Sequence, residues 1–393
     1  MDIIGGFLDK KLITNHNTRK TYRCNINKFF NIINKDINTY FKQKPEKIEK
    51  DLETVFLRLK DEHNTSLIVL KTIFNSVKQF MFTIDKRTKT LDFWDTLKAR
   101  TRNASPVSDD ETPNNKDIKK ILQHGNTRAR AMFLIQASTG CRIGELIALY
   151  PDDIKLNENP VRVTFNKTFD YTKPDKTKLF TKNKSKHDAF LTQEAVESYK
   201  AYMKERTMLY KKSLRTIPER YRPVKITGNK ELDEKNLDEY VKQEKRIFPI
   251  TDNTARLIWF NMVKKTDLYN RDSNTNRLTV HPHCLRKFFR SYLKNVDLAE
   301  HLMGHGGYLT SYRDMKKEDL GKEFMKYAKN VTIFGSTVDS ERLNSMQDQL
   351  NERNKKIEDL ISRIDKLETL NELLEVKSNQ SKLKQELQKL KEK

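Results

Sequence analysis

The stretch "HPHCLRKFF", residues 281 to 289, places two histidines, a cysteine and an arginine within six positions and then turns apolar. As metal ligands, His281, His283 and Cys284 would need a second Cys or His cluster at zinc-like spacing, and the sequence offers none, so neither a metal nor a cofactor is expected. Wound as a helix, the stretch sends Leu285, Phe288, Phe289 and Leu293 to one face and leaves His283 and Arg286 as neighbours on the other. A second guanidinium is available in "STGCRIGEL", where Arg142 and Glu145 share a face apart from Ile143, Leu146 and Ile147. Two planar forks, each able to hold two oxygens, suit a phosphodiester passing through a more negative, five-coordinate transition state. An isolated helical arginine is ordinarily a solvated charge, so the weight falls on the downstream run "HLMGHGGYLTSYRDM", which adds His305, Tyr308 and Tyr312. Cys141 and Cys284 flank the arginines and are read as packing residues.

The chain that must position these groups has 393 residues and a mass of 46.5 kDa, room for two or three compact units. Its formal charge of +23 and pI near 9.6 call for a polyanionic partner, nucleic acid ahead of a membrane surface. A hydrophobic content of 36% still suffices for ordinary cores. No run of about 18 uncharged apolar residues occurs, and the start "MDIIGGFLDKK" is too short and too acidic for a signal peptide. Cys24, Cys141 and Cys284 make neither a disulfide framework nor a C-x-x-C pair, which fits a reducing compartment. A soluble, cytoplasmic, DNA-associated protein is expected.

Apolar periodicity predicts a helix from about Asn17 through "TRKTYRCNINKFFNIINK", two more over 46–62 and 66–84, and a shorter one at "LDFWDTLK", together a basic bundle. The polar stretch "RTRNASPVSDDETPNN", residues 100–115, reads as a linker. Helices follow at 116–123 and 127–138, then short β-type runs over 161–192 suggesting a small meander, then helices at 193–210, 252–267 and 283–295. The very polar stretch 211–245 is expected to be a mobile insertion. From about 338 to the end, Met346, Leu350, Arg353, Ile357, Leu360, Ile364 and Leu367 keep alternating spacings of four and three, the pattern of a coiled coil with Arg353 as a polar residue in its seam. From Asp339 onward 12 Lys and Arg balance 12 Asp and Glu, so the whole positive excess lies on the first 338 residues.

In this order and at these separations, "STGCRIGELIAL", "HPHCLRKFF" and "LMGHGGYLTSY" resemble the catalytic boxes of the tyrosine recombinase, or phage integrase, family. The short interval from the histidine to the tyrosine is similar to that of archaeal-type integrases. The resemblance covers about residues 11 to 337 and implies a mainly α fold. Its parts would be a SAM-like helical core-binding domain (1–99), the linker (100–115) and an α+β catalytic domain with a small antiparallel sheet (116–337). The coiled-coil tail (338–393) lies outside it. Carried over residue by residue, the family pattern makes Arg142 the first arginine, His283 and Arg286 the His-x-x-Arg pair and His305 the later histidine. The common pattern places the nucleophilic tyrosine nine residues past that histidine, where this chain has Asp314. "TSYRDM" resembles the nucleophile box, so Tyr312 is favoured over Tyr308, which follows the Gly306-Gly307 turn too closely. A catalytic lysine is expected on the hairpin in "LFTKNKSKHDAFL", and similarity to the family's turn favours Lys182 over Lys184 and Lys186. Glu145 is read as an anchor for its helix.

The implied activity is that of a metal- and ATP-independent DNA strand transferase, a site-specific recombinase that integrates or excises a mobile element such as a viral genome. The tyrosine would form a 3'-phosphotyrosine link and free a 5'-hydroxyl, His283 accepting the phenolic proton and Lys182 protonating the departing oxygen. Partners would be double-stranded DNA, clamped between the two domains, and further copies of the chain, four protomers on two duplexes. A type IB topoisomerase would share the chemistry but relax supercoils. A catalytically silent DNA-binding factor would have no need of six filled catalytic positions.

Overall fold

The computed structural model describes residues 2–13, 15–104, 110–173, 175–179, 186–219, 222–273, 275–305, 312 and 314–335. Lys182, Lys184, Tyr308 and the coiled-coil tail lie outside the described residues. In chain order the helices are α1 (Ile3–Lys10), α2 (His16–Ile33), α3 (Pro45–Leu57), α4 (Leu67–Ile84), α5 (Phe93–Arg100), α6 (Asn115–Gln123) and α7 (Thr127–Thr139). They continue with α8 (Ile143–Leu146), α9 (Gln193–Thr216), α10 (Lys230–Gln243), α11 (Asp252–Val263), α12 (Cys284–Tyr292), α13 (Val296–Leu302) and α14 (Lys317–Tyr327). The strands are β1 (Ile154–Lys155), β2 (Arg162–Phe165), β3 (Lys167–Phe169), β4 (Thr177–Leu179) and β5 (His187–Phe190).

Internal contacts divide the chain into two units, and the first comprises Met1–Thr112, Lys167–Leu179 and Ile250–Cys284. Its aromatic core draws Phe7 from α1, Phe29 and Phe30 from α2, Phe56 from α3, Phe74 and Phe80 from α4 and Phe93 and Trp94 from α5. Asn15 caps α2 by accepting the Thr18 N–H, and Asn34 ends it in the left-handed conformation, where asparagine is tolerated. Pro45 opens α3, its fixed φ suited to a first turn. α4, 18 residues with a mean hydropathy of 1.3, is long and apolar enough to cross a membrane. It carries Lys71 and Lys78 and buries Leu70, Phe74, Val77, Phe80 and Met81 in the bundle, the habit of a core helix. α1 was not expected, because Ile3, Ile4, Phe7 and Leu8 fill barely two turns and leave no periodicity to read.

The second unit comprises Pro113–Asn166, Phe180–Pro249 and Leu285–Lys393. At its centre α7 buries the consecutive residues Ala131, Met132, Phe133, Leu134 and Ile135, so that its middle is enclosed on every side. Strands β1, β2 and β5 form an antiparallel sheet in which Phe165 pairs with His187 and Arg162 with Phe190. The expected small antiparallel sheet is present, and among the described residues the strands of the meander fall in two sheets. In the first unit β3 and β4 pair with each other, closed by a turn in which Asp170 N–H donates to the Lys176 carbonyl at 2.8 Å.

The expectation of a mobile insertion at 211–245 is corrected. The segment completes α9 and supplies α10, and Tyr210, Leu214, Val224, Leu237 and Val241 form a small core of their own. Lys211 bridges to Glu234 at 2.5 Å and to Asp238 at 2.7 Å across the pair. The apolar stripe is only one residue per turn wide, too narrow to stand out against so polar a background.

Candidate active site

Arg142 is placed by the end of α7. Gly140 stops that helix with φ +62°, and a Cβ there would lie 2.6 Å from Phe289 Cδ1 and 2.9 Å from Met303, so glycine is required on two counts. The chain then extends through Arg142 and turns into the short α8. Glu145, 1% exposed, accepts both the Arg142 backbone N–H and its guanidinium Nη1, each at 2.9 Å. The anchoring role expected of Glu145 is thus visible in hydrogen bonds. Cys141 beside it is buried, and burial pushes its thiol up to about 12, which leaves it no nucleophile at neutral pH.

Arg286 lies on α12, whose Leu285, Phe288 and Phe289 are fully buried. Its own side chain is buried too, 5% exposed, and fans across three segments. Nη1 donates to the Gly140 carbonyl, while Nη2 donates to the Met303 carbonyl at 3.1 Å and to His305 Nε2 at 2.6 Å. Burial first, and then the nearby Arg142 guanidinium, pull Arg286 below the usual arginine range, with Glu145 opposing them. Arg142, Arg286 and Glu145 therefore form one electrostatic cluster, two positive forks around a single buried carboxylate.

His305 follows α13 and the left-handed turn at Gly304, φ +69°. A guanidinium can only donate, so Nε2 of His305 is the acceptor towards Arg286, and Nδ1 carries the proton that it shares with Glu300 Oε2. Glu300 also receives Arg290 Nε, and these two cationic or polar partners, acting against burial, hold its carboxyl below the usual range. The sequence reading missed Glu300 as the orienter of His305; its position five residues upstream, on the preceding helix, was the available signal.

Tyr312 accepts a hydrogen bond at its hydroxyl from Asn295 Nδ2 at 3.0 Å. Asn295 is also the cap of α13, its Oδ1 accepting the Leu298 N–H. The Tyr312 ring lies 6.2 Å from that of His301. His283 falls in the first unit's range, three residues before Arg286 and exposed; its backbone N–H donates to His281 Nδ1 at 3.3 Å. The other groups of "HPHC" are engaged by protein: His281 lies 3.1 Å from Asp110, and Cys284 Sγ donates to the Thr279 carbonyl. Of the three candidate lysines, only Lys186 is among the described residues, exposed just before β5.

His187, the first residue of β5, was not singled out from the sequence. Its ring stacks on Phe165 at 5.2 Å, and a Cβ on Gly304 would lie 2.5 Å from its Nδ1. Both ring nitrogens are buried and neither has a hydrogen-bond partner among the described residues. Burial pushes this imidazole down to about 4, Arg286 and Arg142 adding to the effect and Glu145 and Asp188 opposing it.

A model of the phage integrase family matches residues 113–310. Among solved structures, the chain is similar to the Tn1549 transposon integrase in complex with transposon right end DNA: 15% identity over 82% of this chain and 97% of that one, with a TM-score of 0.50. It is also similar to the XerH site-specific recombinase bound to its difH substrate, at 16% identity over 79% and 77% of the two chains with a TM-score of 0.46. A third similarity is to XerA recombinase, at 15% identity over 88% and 97% with a TM-score of 0.31. A search of curated proteins returns no match. At such identities the likeness to solved structures is one of fold.

Proposed function

The chain belongs to the phage integrase family and is a tyrosine-type site-specific recombinase, and on that premise we propose how its residues cut and rejoin DNA. The observation that carries the reading is the Arg286 guanidinium, buried, fixed by two backbone carbonyls and touching His305, with Arg142 close enough to depress it. Two such charges, which Glu145 and Glu300 offset only in part, suit a phosphodiester between them. Arg142 and Arg286 bind its non-bridging oxygens.

Tyr312 attacks phosphorus, its oxygen forming the new P–O bond as the bond to the 5'-oxygen breaks. The 3'-phosphotyrosine keeps the bond energy, so the freed 5'-hydroxyl of a partner strand reverses the step without ATP. A free tyrosine holds its proton to a pKa near 10, so that proton must leave during attack; His283 takes it, and Lys182 protonates the leaving 5'-oxygen. Each transfer is worth on the order of 10² to 10⁴ in rate. His305 donates a hydrogen bond to the phosphate, and Glu300 at Nδ1 orients its ring.

The partner is double-stranded DNA, and the protein works DNA-associated. Residues 1–99 act as the core-binding domain, 100–115 as the linker and 116–337 as the catalytic domain. The coiled coil of 338–393 helps assemble a homotetramer on two duplexes, so its removal lowers multimer formation and recombination while sparing cleavage. The site reading is tested with Arg286→Lys, which keeps the charge and loses the fork. Single-turnover cleavage should fall on the order of 10²-fold or more at unchanged DNA affinity. Cleavage at the wild-type rate would remove Arg286 from the phosphate.

A further inference from the structure

The imidazole of His187 is an anomaly in a well-satisfied fold. Buried polar atoms are nearly always hydrogen-bonded, and an orphaned one is costly to retain. Here both nitrogens of one ring are buried and unsatisfied among the described residues. The ring is not loosely held, because β5 pairs His187 with Phe165, the two rings stack, and the bare Cα of Gly304 lets Nδ1 approach the turn that carries His305. Asp188, the next residue, fastens the strand by accepting from Thr164 Oγ1 and Arg162 Nη1. The Lys317 ammonium of α14 bridges to it at 3.2 Å.

What surrounds the ring is the proposed phosphate site itself. Arg142, Glu145 and Arg286 are the charged groups that act on it from outside its own strand. We infer that His187 is a further catalytic residue of the strand transfer, its neutral imidazole donating an N–H to a non-bridging oxygen of the phosphate held by Arg142 and Arg286. The inference rests on the proposed reading of that site. A phosphate oxygen would satisfy a nitrogen that the protein leaves bare. With the imidazole pushed down to about 4, the ring is neutral at working pH and always carries one N–H to give. Neutrality also spares the site a third positive charge beside two guanidiniums. A donor held by strand pairing and stacking is aligned before the charge develops, which is when it is most effective.

The bland alternative is a packing histidine, and His187→Phe separates the two, because phenylalanine keeps the stack on Phe165 and removes both nitrogens. Single-turnover cleavage should fall on the order of 10²-fold in His187→Phe, with DNA affinity and melting temperature near wild type, as for loss of one oxyanion-type donor. His187→Asn, which restores an N–H, should recover part of the rate. If His187→Phe folds poorly, the Asn variant and a substrate test still decide. On the two methylphosphonate stereoisomers at the scissile position, each lacking one non-bridging oxygen, the penalty of the His187 variants should shrink on one isomer only. Wild-type cleavage by folded His187→Phe, or an equal penalty on both isomers, overturns the inference. If instead Arg286→Lys also cleaves normally, the reading of the site has failed and not the role of His187 alone.

Discussion

Arg142 and Arg286 repel one another, and Glu145 is the carboxylate that offsets the repulsion from a position 1% exposed. It holds one guanidinium directly and lies within electrostatic reach of the other and of His187. Glu145→Gln should lower stability on the order of 3 kcal/mol, the usual consequence of leaving a buried charge without its partner. Urea unfolding checks this, and a variant as stable as wild type would place the compensation elsewhere. At this scale the sequence was informative where spacing forces proximity. Arg142 and Glu145, three apart on one turn, are joined as expected, and Arg286 is buried on the same helix as Leu285, Phe288 and Phe289. It was uninformative where proximity comes from tertiary closure: nothing in "KSKHDAFL" says that His187 will sit among charges from "GCRIGEL" and "CLRKFF".

The site is assembled by helix ends. Arg286 reads the carbonyls at the end of α7 and just past α13, so those turns fix its fork. Gly140→Ala would strain a left-handed residue and force a methyl against Phe289 and Met303, a destabilisation of about 2–4 kcal/mol. Thermal melting tests this, and an unshifted transition would show that α12 can give way. A second helix start ties the C-terminal side: Glu194 in α9 accepts the Ile333 and Phe334 N–H groups at 2.7 and 2.8 Å. Burial, outweighing those hydrogen bonds, pushes its carboxyl up to about 7 from 4.5. Between those values the folded chain holds a proton that the unfolded chain has lost, so stability falls as pH rises through that window. The wild type should lose more melting temperature between pH 5.5 and 7.5 than Glu194→Gln does; equal slopes would refute it. Helices with wide apolar stripes, such as α2, α4 and α12, were legible in the sequence. The α9–α10 pair was not, since its core rests on a few residues such as Leu214, Leu237 and Val241 in a field of charge.

Over the whole molecule the dominant physical fact is charge. The excess of +23 lies on the first 338 residues, with the tail from Asp339 neutral. If about 10 phosphates are neutralised on binding, log affinity should fall against log salt with a slope of roughly −9. Titrations at several ionic strengths would measure it, and a much shallower slope would deny that phosphate contacts dominate. Family and chemistry were legible at this scale because three short boxes occur in order in a basic chain. How the short interval to Tyr312 is accommodated was not, since a hydroxyl resting on Asn295 depends on the cap of α13 rather than on any motif. The central claim, a covalent link through that hydroxyl, is tested most directly by trapping it. The wild type, Tyr312→Phe and Tyr308→Phe would each be incubated with nicked DNA carrying the protein's site, in EDTA, and denatured in SDS. A protein–DNA adduct formed by the wild type and Tyr308→Phe and lost only in Tyr312→Phe is the expected result. An adduct that survives in Tyr312→Phe, or none from the wild type on a site it binds tightly, would contradict it.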